Sequence, residues 1–215
     1  MLVIFDCDGV LVDSEPLACA SFSRAIKAEG LDWSVEETMR RLMGLSLKTG
    51  VEICETELGR KLPDDFVEKM QAVTYQTFRD APLKPVAGVK DAIVALQAAG
   101  IDTCVASSGS PEKMHFTLRL TGLWDLFDGR IFSAAQVPRG KPFPDLFLHA
   151  AISMNVQPFD CVVVEDSVPG VRAARSAGMR ALAYAGEPYA NRDALQKAGG
   201  RVFDDMKQLP DLVLA

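Results

Sequence analysis

The chain is poor in the features that announce many common chemistries. It contains only two histidines, His115 and His149, and both fall inside segments with helical periodicity, where a structural or surface role is expected. No HExxH, GxSxG, Walker A or GxGxxG pattern is present. The five cysteines stand singly at Cys7, Cys19, Cys54, Cys104 and Cys161, odd in number and without a CxxC pair. That usage points to free thiols in a reducing cytoplasm rather than to a disulfide framework. No basic run could cover a phosphate backbone, so no nucleic-acid partner is expected. No apolar stretch approaches the length of a membrane span, so no membrane partner is expected either. The run Met1 to Phe5 is too short for a secretory leader and lacks its basic start and cleavage site, which again suggests a cytoplasmic location. N-x-S/T sequons, low-complexity tracts and internal repeats are also missing.

What is present is an ordinary globular composition. The 215 residues are 48% hydrophobic and 24% charged, with a formal net charge of −6, enough apolar material for a sizeable core. Short apolar runs without alternation, at Leu2 to Phe5, Ile101 to Ala106, Arg130 to Ser133, Cys161 to Val164 and Ala181 to Tyr184, predict strands buried on both faces. Helical patterns separate them: Val89 to Ala99, Pro111 to Leu120, Pro144 to Met154 and Val168 to Ala177. Alternation of helix and strand from residue 86 onward predicts a parallel sheet covered by helices.

Residues 15 to 81 differ. They read as helices only, at Pro16 to Glu29, from Ser34 to near Gly44, at Leu47 to Leu58 and at Asp64 to Arg79. Ser34-Val35-Glu36-Glu37 is a capping box in this reading. The stiff Ala81-Pro82-Leu83-Lys84-Pro85 segment then leads back to the alternating pattern. The expected fold is therefore α/β, a parallel Rossmann-like sheet flanked by helices, with an inserted all-helical domain. The core is assigned to residues 1–14 and 82–215 and the insert to residues 15–81.

Ligands of open α/β sheets bind beyond the carboxyl ends of the strands. Just past the predicted strands stand Asp6-Cys7-Asp8-Gly9, Ser107-Ser108-Gly109, Gly140-Lys141-Pro142 and Glu165-Asp166-Ser167. Four carboxylates gathered on one rim would repel one another unless a hard cation and an ammonium intervened. Oxygen ligands in a small site suit Mg²⁺, and Lys141 supplies the fixed positive charge; together they are the equipment of phosphoryl transfer. Cys7, between the two acids, should point away from them and pack.

The segments Phe5-Asp6-Cys7-Asp8-Gly9-Val10-Leu11-Val12-Asp13-Ser14-Glu15, Val105-Ala106-Ser107, Gly140-Lys141-Pro142-Phe143-Pro144-Asp145 and Val163-Val164-Glu165-Asp166-Ser167-Val168-Pro169-Gly170 resemble, in order and spread, the four motifs of the haloacid dehalogenase superfamily. The insert resembles the helical cap of the subfamily that includes sugar-phosphate phosphatases and β-phosphoglucomutase. The resemblance implies a Mg²⁺-dependent phosphatase acting on a small phosphate monoester, such as a sugar phosphate, through an aspartyl phosphate. It implies Asp6 as nucleophile, Asp8 as proton donor and then base, and Lys141 as stabiliser of charge on Asp6 and the phosphoryl group. It implies Asp6, Asp8 through its main-chain carbonyl, Glu165 and Asp166 around the metal. Ser107, with Ser108 as an alternative, and the amides through Gly109 would cradle phosphate.

Within the insert, Arg40, Arg41 and Lys48 flank Gly44-Leu45-Ser46-Leu47, and Lys48 is the candidate for a further substrate contact; a solvated helix face explains the three equally well. Glu15, beside the expected hinge, is a lesser candidate. The alternative function is a phosphosugar mutase resembling β-phosphoglucomutase. Its cap carries Val-Ser-Arg after the glycine, where this chain has Leu45-Ser46-Leu47, and its Ser-Lys-Asn run after the second motif is missing here. A true dehalogenase would not need Asp8. A monomer or weak homodimer is expected.

Overall fold

The computed structural model describes residues 1–42, 47–81, 83–188 and 190–215; of Lys48 it describes the backbone only. The Gly44-Leu45-Ser46 break, Pro82 and the Lys48 side chain therefore lie outside the described residues. In chain order the elements are β1 (Leu2–Phe5), α1 (Glu15–Ala28), α2 (Val35–Leu42), α3 (Leu47–Leu58), α4 (Phe66–Asp80), α5 (Val89–Ala98), β2 (Asp102–Ser107), α6 (Pro111–Leu120), β3 (Ile131–Ser133), α7 (Asp145–Ser153), β4 (Cys161–Glu165), α8 (Val168–Ser176), β5 (Arg180–Tyr184), α9 (Arg192–Lys197), β6 (Arg201–Phe203) and α10 (Leu209–Leu214). No helix among the described residues is long and apolar enough to cross a membrane.

Six strands form one sheet in the order β3-β2-β1-β4-β5-β6, and every neighbouring pair is parallel. The order reverses at β1, which lies between β2 and β4, so the crevice beyond its carboxyl end is the switch point where such sheets bind ligands. β1 is fully buried because helices cover both faces. Leu2 and Ile4 enter one cluster with Cys104, Phe132, Leu146, Phe147 and Val163. Phe5 points to the other side, where its ring meets that of Phe127 edge-on at 5.9 Å. Each such fully buried side chain is worth about 1.5–3 kcal/mol of transfer free energy.

The predicted strands and helices form within one or two residues of their expected bounds, the usual scatter of element ends. β6, α9 and α10 were not anticipated. β6 is only three residues long, begins with an exposed arginine and pairs on one side, so it carries no apolar run.

The chain divides into two compact units, Met1–Asp13 with Lys84–Ala215, and Ser14–Leu83. Within the first unit the two connecting segments run together. Asp13 donates its amide to Lys84 O at 3.0 Å, Val86 donates to Leu11 O at 3.0 Å, and Val12 bridges Pro85. The second unit is all-helical and has a core of its own, built from Phe22, Ile26, Leu31, Trp33, Cys54, Leu62, Phe66 and Met70. At the start of α2 only one arm of the expected capping box is realised: Ser34 Oγ accepts from the Glu37 amide at 3.1 Å. The Glu37 carboxylate is taken up by Arg40 and Arg41.

Candidate active site

β1 delivers Asp6. The strand ends at Phe5, but the Asp6 amide still donates to Val164 O at 2.9 Å, which ties the residue to β4. The chain then turns at once: the amides of Leu11 and Val12 donate to Cys7 O, and that of Gly9 to Val12 O. Asp8 is therefore placed by a turn, with Gly9 at φ +76°, and not by continuation of the strand. Cys7 is buried and packs as expected, its Sγ 4.0 Å from Thr117 Oγ1. Burial, then the charges of Asp8 and Asp6, push its thiol well above the ordinary range.

Glu165, the last residue of β4, is fully buried, and Asp166 follows it. Lys141 reaches in from the loop between β3 and α7. Its Nζ lies 2.6 Å from Asp6 Oδ1 and 2.6 Å from Glu165 Oε1, and its side chain is 6% exposed. A lone ammonium at that depth would be very costly; two carboxylates and the Phe147 ring, 5.1 Å away, compensate it. Burial alone would lower the Lys141 pKa, but Asp6 and Glu165 together hold it well above the usual lysine value. For Asp6 burial dominates: it pushes the carboxyl up to about 6 against the pull of Lys141, with Glu165 adding to the rise.

Each of Asp6, Glu165 and Asp166 offers a carboxylate oxygen within 4.8 Å of the others. Three hard oxygen donors and a surplus of negative charge fit a small divalent cation. The surrounding backbone makes room for them. A Cβ on Gly9 would lie 2.0 Å from Asp166 Oδ2, so this turn admits the carboxylate only because residue 9 has no side chain. Asp8 is not one of the three; its Oδ2 accepts from Lys113 Nζ at 2.7 Å.

Ser107 ends β2 and is buried. Its Oγ accepts from the Gly109 amide at 3.1 Å, and Ser133 Oγ donates to Gly109 O at 2.7 Å, so the loop is held from both sides. Ser110 then caps α6, its hydroxyl accepting from the Lys113 amide at 3.2 Å. The amides at this helix start suit an anion. Ser108 is exposed, which sets it apart from Ser107. Arg40 and Arg41 are engaged with Glu37, and Arg41 also stacks 4.6 Å over Trp33.

Sequence reasoning missed Lys113. It sits inside a helical pattern, and its partner is 105 residues away. The signal available was a cation in the first turn of the helix that leaves the Ser107 to Gly109 loop. The histidines fall where expected: His115 is exposed and packs edge-on against Trp124, and His149 packs against Phe132.

The family model of haloacid dehalogenase-like hydrolases matches residues 1–178. A 6-phosphogluconate phosphatase of Escherichia coli (strain K12) is 30% identical over 210 residues, covering 98% of this chain and 93% of that protein. A phosphorylated carbohydrates phosphatase of Thermotoga maritima is 34% identical over 181 residues, covering 84% of this chain and 82% of that protein. The crystal structure of a conserved haloacid dehalogenase-like protein of unknown function from Agrobacterium tumefaciens superposes with a TM-score of 0.86 at 36% identity, covering 99% of this chain and 97% of that one.

Proposed function

Because the chain belongs to the haloacid dehalogenase-like hydrolases, we propose that it hydrolyses small phosphate monoesters of sugars or related polyols, with Mg²⁺ and through a phosphorylated Asp6. Its class, phosphoric monoester hydrolase, follows from the family and from the two phosphatases above. The observation that carries the finer reading is the Lys141 ammonium, 2.6 Å from Asp6 and 2.6 Å from Glu165, beside three carboxylates that one cation can share.

In this reading Asp6 attacks phosphorus. One of its carboxylate oxygens forms the new P–O bond as the ester P–O bond breaks, and Asp8 gives its proton to the departing oxygen. Water then attacks the phosphorylated Asp6, Asp8 takes the water's proton, and inorganic phosphate leaves. Lys141 neutralises charge on Asp6 and on the transferring group throughout. The buried Ser107 hydroxyl and the amides of the following loop hold phosphate oxygens. Asp6, Asp166, the Asp8 carbonyl and Glu165, directly or through water, would hold Mg²⁺, whose charge offsets that of the phosphoryl oxygens. The phosphatase reading is preferred to a mutase because both named relatives are phosphatases.

The test is phosphate release from a panel of sugar and polyol phosphates, with Mg²⁺ and then with excess chelator. Release that needs the metal, disappears in Asp6→Asn and yields free sugar is the expected result. Conversion of a labelled hexose phosphate to its isomer, without net phosphate release, would overturn the reading.

A further inference from the structure

Helix α6 grips the segment that bears the candidate proton donor. Lys113, on its first turn, holds Asp8 Oδ2 at 2.7 Å, and Thr117, one turn on, meets Cys7 Sγ at 4.0 Å. The two side chains are four residues apart and so share a face of the helix. Ser110 fixes the start of that helix by accepting the Lys113 amide, and Thr117 Oγ1 donates back to Lys113 O at 3.0 Å. The contact is also partly withdrawn from solvent, with Lys113 31% and Asp8 22% exposed in their side chains.

We propose that Lys113 is a positioning residue: it anchors one oxygen of Asp8 and thereby aims the carboxyl group at the leaving oxygen of the ester. The inference rests on the reading of Asp8 as proton donor given above. When the ester P–O bond breaks, the Asp8 proton passes to the leaving oxygen and Asp8 becomes a carboxylate facing the Lys113 ammonium. The contact is thus strongest as the proton departs, which is the condition for it to speed the step rather than merely tighten binding. In the second half of the cycle the proton taken from water restores Asp8.

The consequence is a dependence on leaving group. An alkyl phosphate needs a proton on its departing oxygen, whereas p-nitrophenolate leaves well without one. The informative quantity is kcat/KM, because it reports the first irreversible step, transfer to Asp6, and is insensitive to the later hydrolysis. Lys113→Met is expected to lower kcat/KM for a sugar phosphate about 100-fold, the low end of what a placed general acid contributes. For p-nitrophenyl phosphate the loss should stay below about fivefold, in line with the small share of acid catalysis there. Lys113→Arg should recover much of the alkyl rate. Lys113→Gln, with a polar tip of similar reach, provides a second neutral variant should the methionine disturb folding. In an Asp8→Asn background Lys113→Met should cost nothing further on either ester.

An equal loss on both esters would mean that Lys113 binds phosphate or supports the fold, and would overturn the proposal. Asp8→Asn separates the two levels of the argument. If that variant shows the selective loss on the alkyl ester and the Lys113 variants do not, only the positioning role fails. If Asp8→Asn shows no selective loss, the assignment of Asp8 as proton donor fails and the positioning role fails with it.

Discussion

Gly170 and Glu165 occupy one space: a Cβ on Gly170 would lie 1.8 Å from Glu165 Oε1 and 2.0 Å from its Cδ. The carboxylate lies folded over the first turn of α8, where it accepts from the Ser167 amide at 2.5 Å and from Lys141 at 2.6 Å. Gly170→Ala must therefore move a fully buried charged group away from its partners. A loss of about 3–5 kcal/mol is expected, as for a buried ion pair deprived of one member. Urea unfolding of the purified variant measures it; a change below about 1 kcal/mol, the scale of an ordinary substitution, would show that Glu165 repacks freely.

Lys141 lies between two acids, so replacing it should do two separable things. Lys141→Met leaves Asp6 and Glu165 buried and facing each other. Without metal the folded state should lose about 3–5 kcal/mol. Turnover should fall at least about 100-fold, the scale seen when one stabilising donor is removed from a site of developing charge. Added Mg²⁺ should restore part of the stability, since it supplies positive charge to the same carboxylates, but not the turnover. Unfolding with and without Mg²⁺, together with phosphate release, separates the two effects.

The sheet was legible for a physical reason. β1 and β4 are buried on both faces, so their sequences are nearly continuous apolar runs, and the acids that follow Leu2–Phe5 and end Cys161–Glu165 stand out against them. The rim chemistry was legible because strand ends of a parallel sheet all face one way, which brings Asp6, Ser107 and Glu165 to a common edge without any knowledge of loops. β6 was not legible, being short and only half covered. Lys113 was legible only as a cation in the first turn after the Ser107 to Gly109 loop; its contact between α6 and a turn is a pairing that neither periodicity nor composition encodes.

Gly9 offers a test of the metal site in which no candidate ligand is itself substituted. It adopts φ +76°, and a methyl group there would meet Asp166 at 2.0 Å. Gly9→Ala carries a backbone penalty of about 1–2 kcal/mol for the left-handed conformation. It also displaces the Asp166 carboxylate. The Mg²⁺ concentration for half-maximal activity should rise about 10–100-fold, the range found when a ligand loses its support. An unchanged metal requirement in a folded variant would remove Asp166 from the set of ligands.

Asp13 is not among the three clustered carboxylates, and its own burial gives a pH test. Among the described residues its buried Oδ1 has no hydrogen-bond partner. Burial raises its carboxyl above the usual value, against a weaker pull from Lys84. Glu187 is raised as well, first by burial and then by the charge of Asp13. Both acids therefore hold protons more tightly in the folded chain than in the unfolded one. Below the ordinary carboxylate range, about pH 4, both states are protonated and nothing is lost. As pH rises from there through the elevated folded values, folding takes up protons and stability falls, and above that window the penalty is complete. Asp13→Asn removes one of the two charges and relieves the other. Its urea midpoint should exceed that of the wild type at pH 7, and the advantage should shrink to almost nothing by about pH 3, where the wild-type acid is nearly all protonated in both states. An advantage of equal size at both pH values would mean that packing rather than ionisation distinguishes the two side chains. A lower midpoint at pH 7 would mean that the ionised Asp13 stabilises the fold, through Lys84, more than its burial opposes it.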